Sequence, residues 1–140
     1  MTTLTLARSY LLRAQKRLKI LKVLLDEEAY SDVVREAQEI VELALKGMLR
    51  QVGIDPPKWH DVGSHLLRFR ERFAAETQGE LRRLAEISSR LRKERELAFY
   101  GDVDFIPTEQ YTRDDAEAAI QDAQFVVAAA AKTASEAETP

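Results

Sequence analysis

The residues best suited to chemistry lie in one charged run, RLRKERELAFYGD, from Arg90 to Asp102. Arg92 and Arg95 carry forked guanidinium donors that match the oxygens of a phosphate. Tyr100 adds a phenolic hydroxyl and Asp102 a carboxylate. In a helix, Leu84, Leu91 and Ala98 share one direction, and Arg95 lies close to it, with Arg92 and Phe99 flanking. A guanidinium beside an apolar stripe is costly unless an anion meets it. The expected anions are Asp102, a group across a subunit interface, or a ligand phosphate. The plainer alternative is an arginine snorkelling at the bundle edge with a structural partner. Gly101 permits a sharp exit that would keep Asp102 beside Arg92 or Arg95.

Other chemistries have little to work with. The chain has no Cys, which excludes a thiolate zinc site, a disulfide scaffold and a cysteine nucleophile. It has two His, too few for a three-histidine site. His60 and His65 are five apart, a spacing that does not put two ligands on one helix face. His60-Asp61 as a metal or catalytic pair is weighed against a solvated or capping role. Trp59 is expected to anchor its loop in the core. No Gly-rich phosphate loop, serine-nucleophile motif or zinc motif is present. No metal and no cofactor are expected.

Net charge is −3, unevenly placed. Arg8, Arg13, Lys16, Arg17, Lys19 and Lys22 fall in a stretch without an acid, while acids dominate after Gly101. Such a molecule can bind an anion locally despite its acidic total. The alternative is a solvated basic helix face beside an acidic end.

These residues must be positioned by helices. With 140 residues, 5 Gly and 4 Pro, the chain suits one domain and not a turn-rich all-β fold. Ala7, Tyr10, Leu11, Ala14, Leu18, Leu21 and Leu25 trace the stripe of a helix over Leu4–Asp26. Ser31 or Asp32 is expected to cap a second helix ending near Gln51, where Gly53 and Pro56-Pro57 stop it. Arg35/Glu39 and Glu42/Lys46 are i,i+4 pairs on its wet side. A short helix over Ser64–Ala75, capped by Asp61, follows with Leu66, Leu67, Phe69 and Phe73 as anchors. Glu80–Tyr100 is the fourth helix. Residues 101–112 are expected as a non-helical loop pinned by its apolar side chains. Thr112 and Asp115 form a capping box for the last helix, Arg113 to about Thr133. Phe125, on the back of that helix, suggests contact with a second subunit. The fold expected is all-α: an antiparallel up-and-down helical bundle of four long helices plus one short helix, one domain over 1–134 with a flexible tail at 135–140. No apolar run approaches a membrane span, and the start lacks a signal-like region, so a soluble cytoplasmic protein is expected.

YSDVVREAQEIVELALKGMLRQVGIDPPKWHDVGSHL (Tyr30–Leu66) and RLRKERELAFYGD (Arg90–Asp102) together resemble the HEPN domain family. The segments PPKWHDVG and RELAFYGD make the likeness specific, and their order and spacing match across nearly the whole chain. The resemblance implies a dimerising helical bundle, in many prokaryotic members paired with a minimal nucleotidyltransferase as toxin and antitoxin. Active members are metal-independent RNases. Their motif is Arg, four to six residues, then His, often with Tyr two positions later. In the dimer cleft Arg holds phosphate, and His assists proton transfer as a 2′-hydroxyl attacks. In some pairs the motif Tyr accepts a nucleotidyl group, which makes Tyr100 a possible modification site.

Here the His is missing. Aligning Tyr100 with the motif Tyr puts Arg92 at the Arg position and Ala98 at the His position. Starting from Arg95 puts Tyr100 there instead. Neither group is suited to proton transfer at neutral pH. The expected function is therefore a nucleotide- or RNA-binding homodimer using Arg92, Arg95 and Asp102, partnered by a minimal nucleotidyltransferase. An active RNase toxin and a purely structural interaction bundle are the alternatives.

Overall fold

A computed structural model describes residues 2–58 and 61–137. Within it α1 (Thr2–Asp26) and α2 (Tyr30–Gln51) form the first hairpin. The α1 stripe closes on α2 and α7 (Arg113–Ala137), with Ala7, Ala14 and Leu21 fully buried. The α1 end closes by a Schellman motif: Ala29 N–H donates to Leu24 O at 2.9 Å and Glu28 N–H to Leu25 O at 2.9 Å. Glu28 takes the left-handed position, φ 58°. So tight a reversal lets α2 begin at Tyr30, with Ala29 as its uncapped N-cap. The expected cap by Ser31 or Asp32 is therefore corrected: both lie inside the first turn, and Ser31 is buried.

α2 is the centre of the bundle. Val33, Val34, Ala37, Ile40, Val41, Ala44, Leu45, Met48 and Leu49 are all buried. The helix packs against α1, α7, α5 (Leu81–Phe99) and α3 (Val62–Arg68). Gly53, at φ 82°, closes it with a second Schellman motif, Ile54 N–H to Leu49 O at 2.9 Å.

Asp61 caps α3 by accepting from Gly63 N–H at 2.9 Å. Gly63 allows α3 to cross α5 closely, since a Cβ there would lie 2.8 Å from Ala85 Cα. The helix expected over Ser64–Ala75 is broken. It ends at Arg68, passes through a 3-10 turn at Arg70–Arg72, and Phe73 is extended. Leu66 and Phe73 are buried, but Leu67 is exposed and Phe69 only half-buried. No continuous apolar face remains to support a helix through Arg70–Arg72. A single turn, α4 (Ala75–Gln78), leads by Gly79 into α5.

α5 buries Leu81, Leu84, Ile87, Ser88, Leu91 and Ala98. Gly101, at φ 70°, turns the chain away, and a Cβ there would meet Pro107 Cδ at 2.5 Å. Residues 101–112, expected as a non-helical loop, are partly regular. Asp102 and Phe105 form an isolated bridge, and Pro107–Gln110 is one helical turn, α6. Phe105 and Tyr111 pin it, their rings edge-to-face at 5.7 Å. Thr112 N–H donates to Asp115 Oδ2 at 2.9 Å and Asp115 N–H to Thr112 Oγ1 at 3.2 Å, the expected box. α7 runs to Ala137, past its expected end near Thr133, with Thr133 and Ala134 buried, and residues 138–140 of the expected tail lie outside the described residues. The molecule is an all-α antiparallel bundle of four long helices. Among the described residues no helix is long and apolar enough to cross a membrane.

Candidate functional site

The C-terminal half of α5 builds the site. Leu91 and Ala98 turn inward, which leaves Arg92, Lys93, Arg95, Glu96, Phe99 and Tyr100 outward. With Arg35 of α2 these residues line an open cleft of about 540 Å3. Arg35 enters because α2 and α5 are packed neighbours, and its guanidinium lies 5.0 Å from the centre of the Phe99 ring. Glu39, one turn further along α2, orients two cations at once. Its Oε1 is 2.6 Å from Arg35 Nη1 and 3.5 Å from Arg95 Nη2.

Arg92 Nη1 lies 3.8 Å from Asp61 Oδ1, the oxygen that also caps α3. Lys93 has no ion-pair partner among the described residues. Tyr100 is 75% exposed, and its ring meets Phe99 edge-on at 4.8 Å. The cleft thus brings together four cations, two aromatic rings and a phenolic hydroxyl. In both longer pairs, Arg92–Asp61 and Arg95–Glu39, an exposed guanidinium meets a half-buried carboxylate at the surface. Pairs of this kind are worth about 0–1 kcal/mol, so an incoming phosphate can replace the carboxylates.

Several site expectations are corrected. Asp102 pairs with neither arginine among the described residues. Its Oδ1 accepts from Val103 N–H at 2.6 Å, and its backbone is tied to Phe105. The left-handed turn at Gly101 leads into that bridge, so the Asp102 N–H and C=O both bond to Phe105 within the loop. Arg95 is not held against the apolar stripe but is exposed, reaching across to Glu39. Phe125 is half-buried, with the Arg83 guanidinium 3.8 Å from its ring centre and Ala129 beside it buried. Trp59 and His60 lie outside the described residues. Asp61, the other half of the suggested pair, serves α3 and Arg92.

Arg35, Glu39, Lys93 and Phe99 are site members that sequence reasoning missed. Arg35 and Glu39 read as a helix-surface pair, which they are. Nothing in their spacing shows that α5 would deliver Arg95 to the same carboxylate.

The chain belongs to the HEPN domain family, whose model matches residues 7–133. The matched span includes every member of the cleft. No curated protein matches the chain at a significant level of similarity. Family membership supports a nucleotide- or RNA-related role.

Proposed function

We propose that this HEPN protein binds the phosphate of a nucleotide or an RNA at the C-terminal end of α5 and has no RNase catalysis of its own. The observation that carries the reading is the convergence of Arg35, Arg92, Lys93 and Arg95 around Phe99 and Tyr100. Guanidinium groups suit phosphate oxygens, and exposed aromatic rings offer a base a surface to stack on. Proton transfer is the part left without a group. Ala98 is buried at one candidate His position, and a phenol occupies the other.

In this reading the chain acts as a homodimer beside a minimal nucleotidyltransferase, in a toxin–antitoxin-type pair. Leu97, Val103 and Ile106, exposed at the end of α5 and in the loop after it, give a second subunit apolar surface to cover. Tyr100, open to solvent, is the hydroxyl accessible to a nucleotidyl-transferring partner.

The test is titration of single-stranded RNA and of ATP at rising salt, with Arg92→Ala and Arg95→Ala alongside. Binding should weaken steadily with salt and fall about tenfold in either variant. Incubation with RNA in EDTA should leave it intact. Cleavage that persists in EDTA and vanishes in Arg95→Ala would replace this reading with an RNase toxin. Sedimentation at micromolar concentration showing only monomer would remove the dimer.

A further inference from the structure

A second surface lies on α1, away from the α5 cleft. The buried side of α1 fixes what faces out: Leu12, Lys16, Lys19 and Val23 follow steps of four, three and four, one straight outward stripe. The stripe spans roughly 16 Å of helix. All four residues are exposed, Leu12 by 52% and Val23 by 61%. Ile20, 45% exposed, and Arg13 flank it on one side. Arg17 is engaged with Glu36 of α2 at 2.7 Å. Arg13, Lys16, Lys19 and Lys22, by contrast, have no ion-pair partner among the described residues. No acid occurs from Arg8 to Lys22 to supply one.

The order along the stripe is aliphatic, cation, cation, aliphatic. We propose that it docks an acidic amphipathic helix of a partner protein, with two carboxylates over Lys16 and Lys19 and apolar side chains over Leu12 and Val23. Such a helix repeats the same spacing on its own surface, so both features can be met at once. A nucleic acid would satisfy the lysines only, since the stripe has no aromatic ring for a base to stack on. An anionic bilayer favours an apolar centre with cations at its edges, whereas here the cations hold the centre. The bland alternative, a solvated basic face, leaves Leu12, Ile20 and Val23 exposed among the lysines without a use.

The proposal is independent of the α5 cleft and is tested with a hydrocarbon-stapled helical peptide. The peptide carries Leu, Glu, Glu and Leu at steps of four, three and four, and a control has the same composition in permuted order. Isotope-labelled protein is titrated with each and followed by amide chemical shifts. The designed peptide should shift the outward amides of α1 saturably, and the permuted peptide should bind about tenfold more weakly. Lys16→Glu with Lys19→Glu should cost tenfold or more, roughly, through like-charge contact. Leu12→Gln with Val23→Gln, which leaves charge unchanged, should cost about threefold or more. The proposal is overturned if the permuted peptide binds equally well, because attraction is then charge alone. It is also overturned if the shifts map to α5. Stronger perturbation of the same amides by single-stranded RNA, or by phosphatidylserine vesicles, would reassign the face to nucleic acid or to lipid. The peptide comparison uses the unmodified protein, so it decides even if a variant fails to fold.

Discussion

α2 and α5 are similar in length, 22 and 19 residues, but they are used in opposite ways. Twelve residues of α2 are buried, spread around the helix, against six on one side of α5. α2 can spare only a narrow wet strip, and most of its charges there are absorbed by neighbours: Arg35 by Glu39, Lys46 by Glu42, Glu36 by Arg17. α5 is held by a single stripe, and most of the rest of its circumference is charged. The helix with the most contacts fixes position, and the one with the fewest obligations carries the exposed cations. They meet at Glu39, where a residue of the scaffold helix orients an arginine of the other.

That contrast predicts a ranking of effects. Leu45→Ala, at the fully buried centre of α2, should lower unfolding free energy by about 2–5 kcal/mol in a denaturant titration. A loss below about 1 kcal/mol would break the view of α2 as the keystone. Gly101→Ala should cost about 1–3 kcal/mol, from the positive φ and the clash with Pro107. Thr112→Ala, which removes half of the α7 capping box, should cost about 1 kcal/mol.

Tyr111 sharpens the comparison through pH. Burial first, and then its hydrogen bond to Glu94 of α5, push its phenol well above the ordinary tyrosine range. In the unfolded chain the phenol loses its proton near pH 10, approximately, while in the folded chain it keeps it. The folded state then binds more protons, so stability should fall as pH rises beyond that point. Tyr111→Phe should flatten this dependence, as read by thermal melts across the alkaline range. An unchanged slope in the variant would show that other groups set it.

Arg95→Ala should move stability least, within about 0.5 kcal/mol, because the side chain is exposed and its pair is long. The same variant should weaken phosphate binding about tenfold. Glu39→Gln completes the comparison: it should strengthen phosphate binding modestly, since it frees Arg35 and Arg95 from the carboxylate that a phosphate must displace. If Glu39→Gln instead left binding unchanged, the α2 contribution to the cleft would be no more than a shape.

Much of this was legible in local order. The apolar stripes of α1 and α5 were readable because one helix face must be buried, and Leu84, Leu91 and Ala98 of α5 are buried. The capping box at Thr112 and the stop at Gly53 were readable because they involve neighbours within a few residues. The third helix was misread because four apolar side chains in twelve residues do not reveal which of them find a core. Leu66 and Phe73 did, and Leu67 did not.

The site divides along the same line. Sequence by itself determined that Arg92, Arg95 and Tyr100 would stand together near the end of one helix, since spacing along a helix fixes direction. Only the tertiary structure decided what surrounds them. Asp102, two residues from Tyr100, pairs with neither arginine among the described residues, while Glu39 and Asp61, far off in the chain, supply the carboxylates. The physical reason is that a helix of known phase specifies its own surface, whereas an ion pair between helices depends on crossing angle and axial offset. Those are set by how the buried side chains of both partners, and of everything packed behind them, fit together.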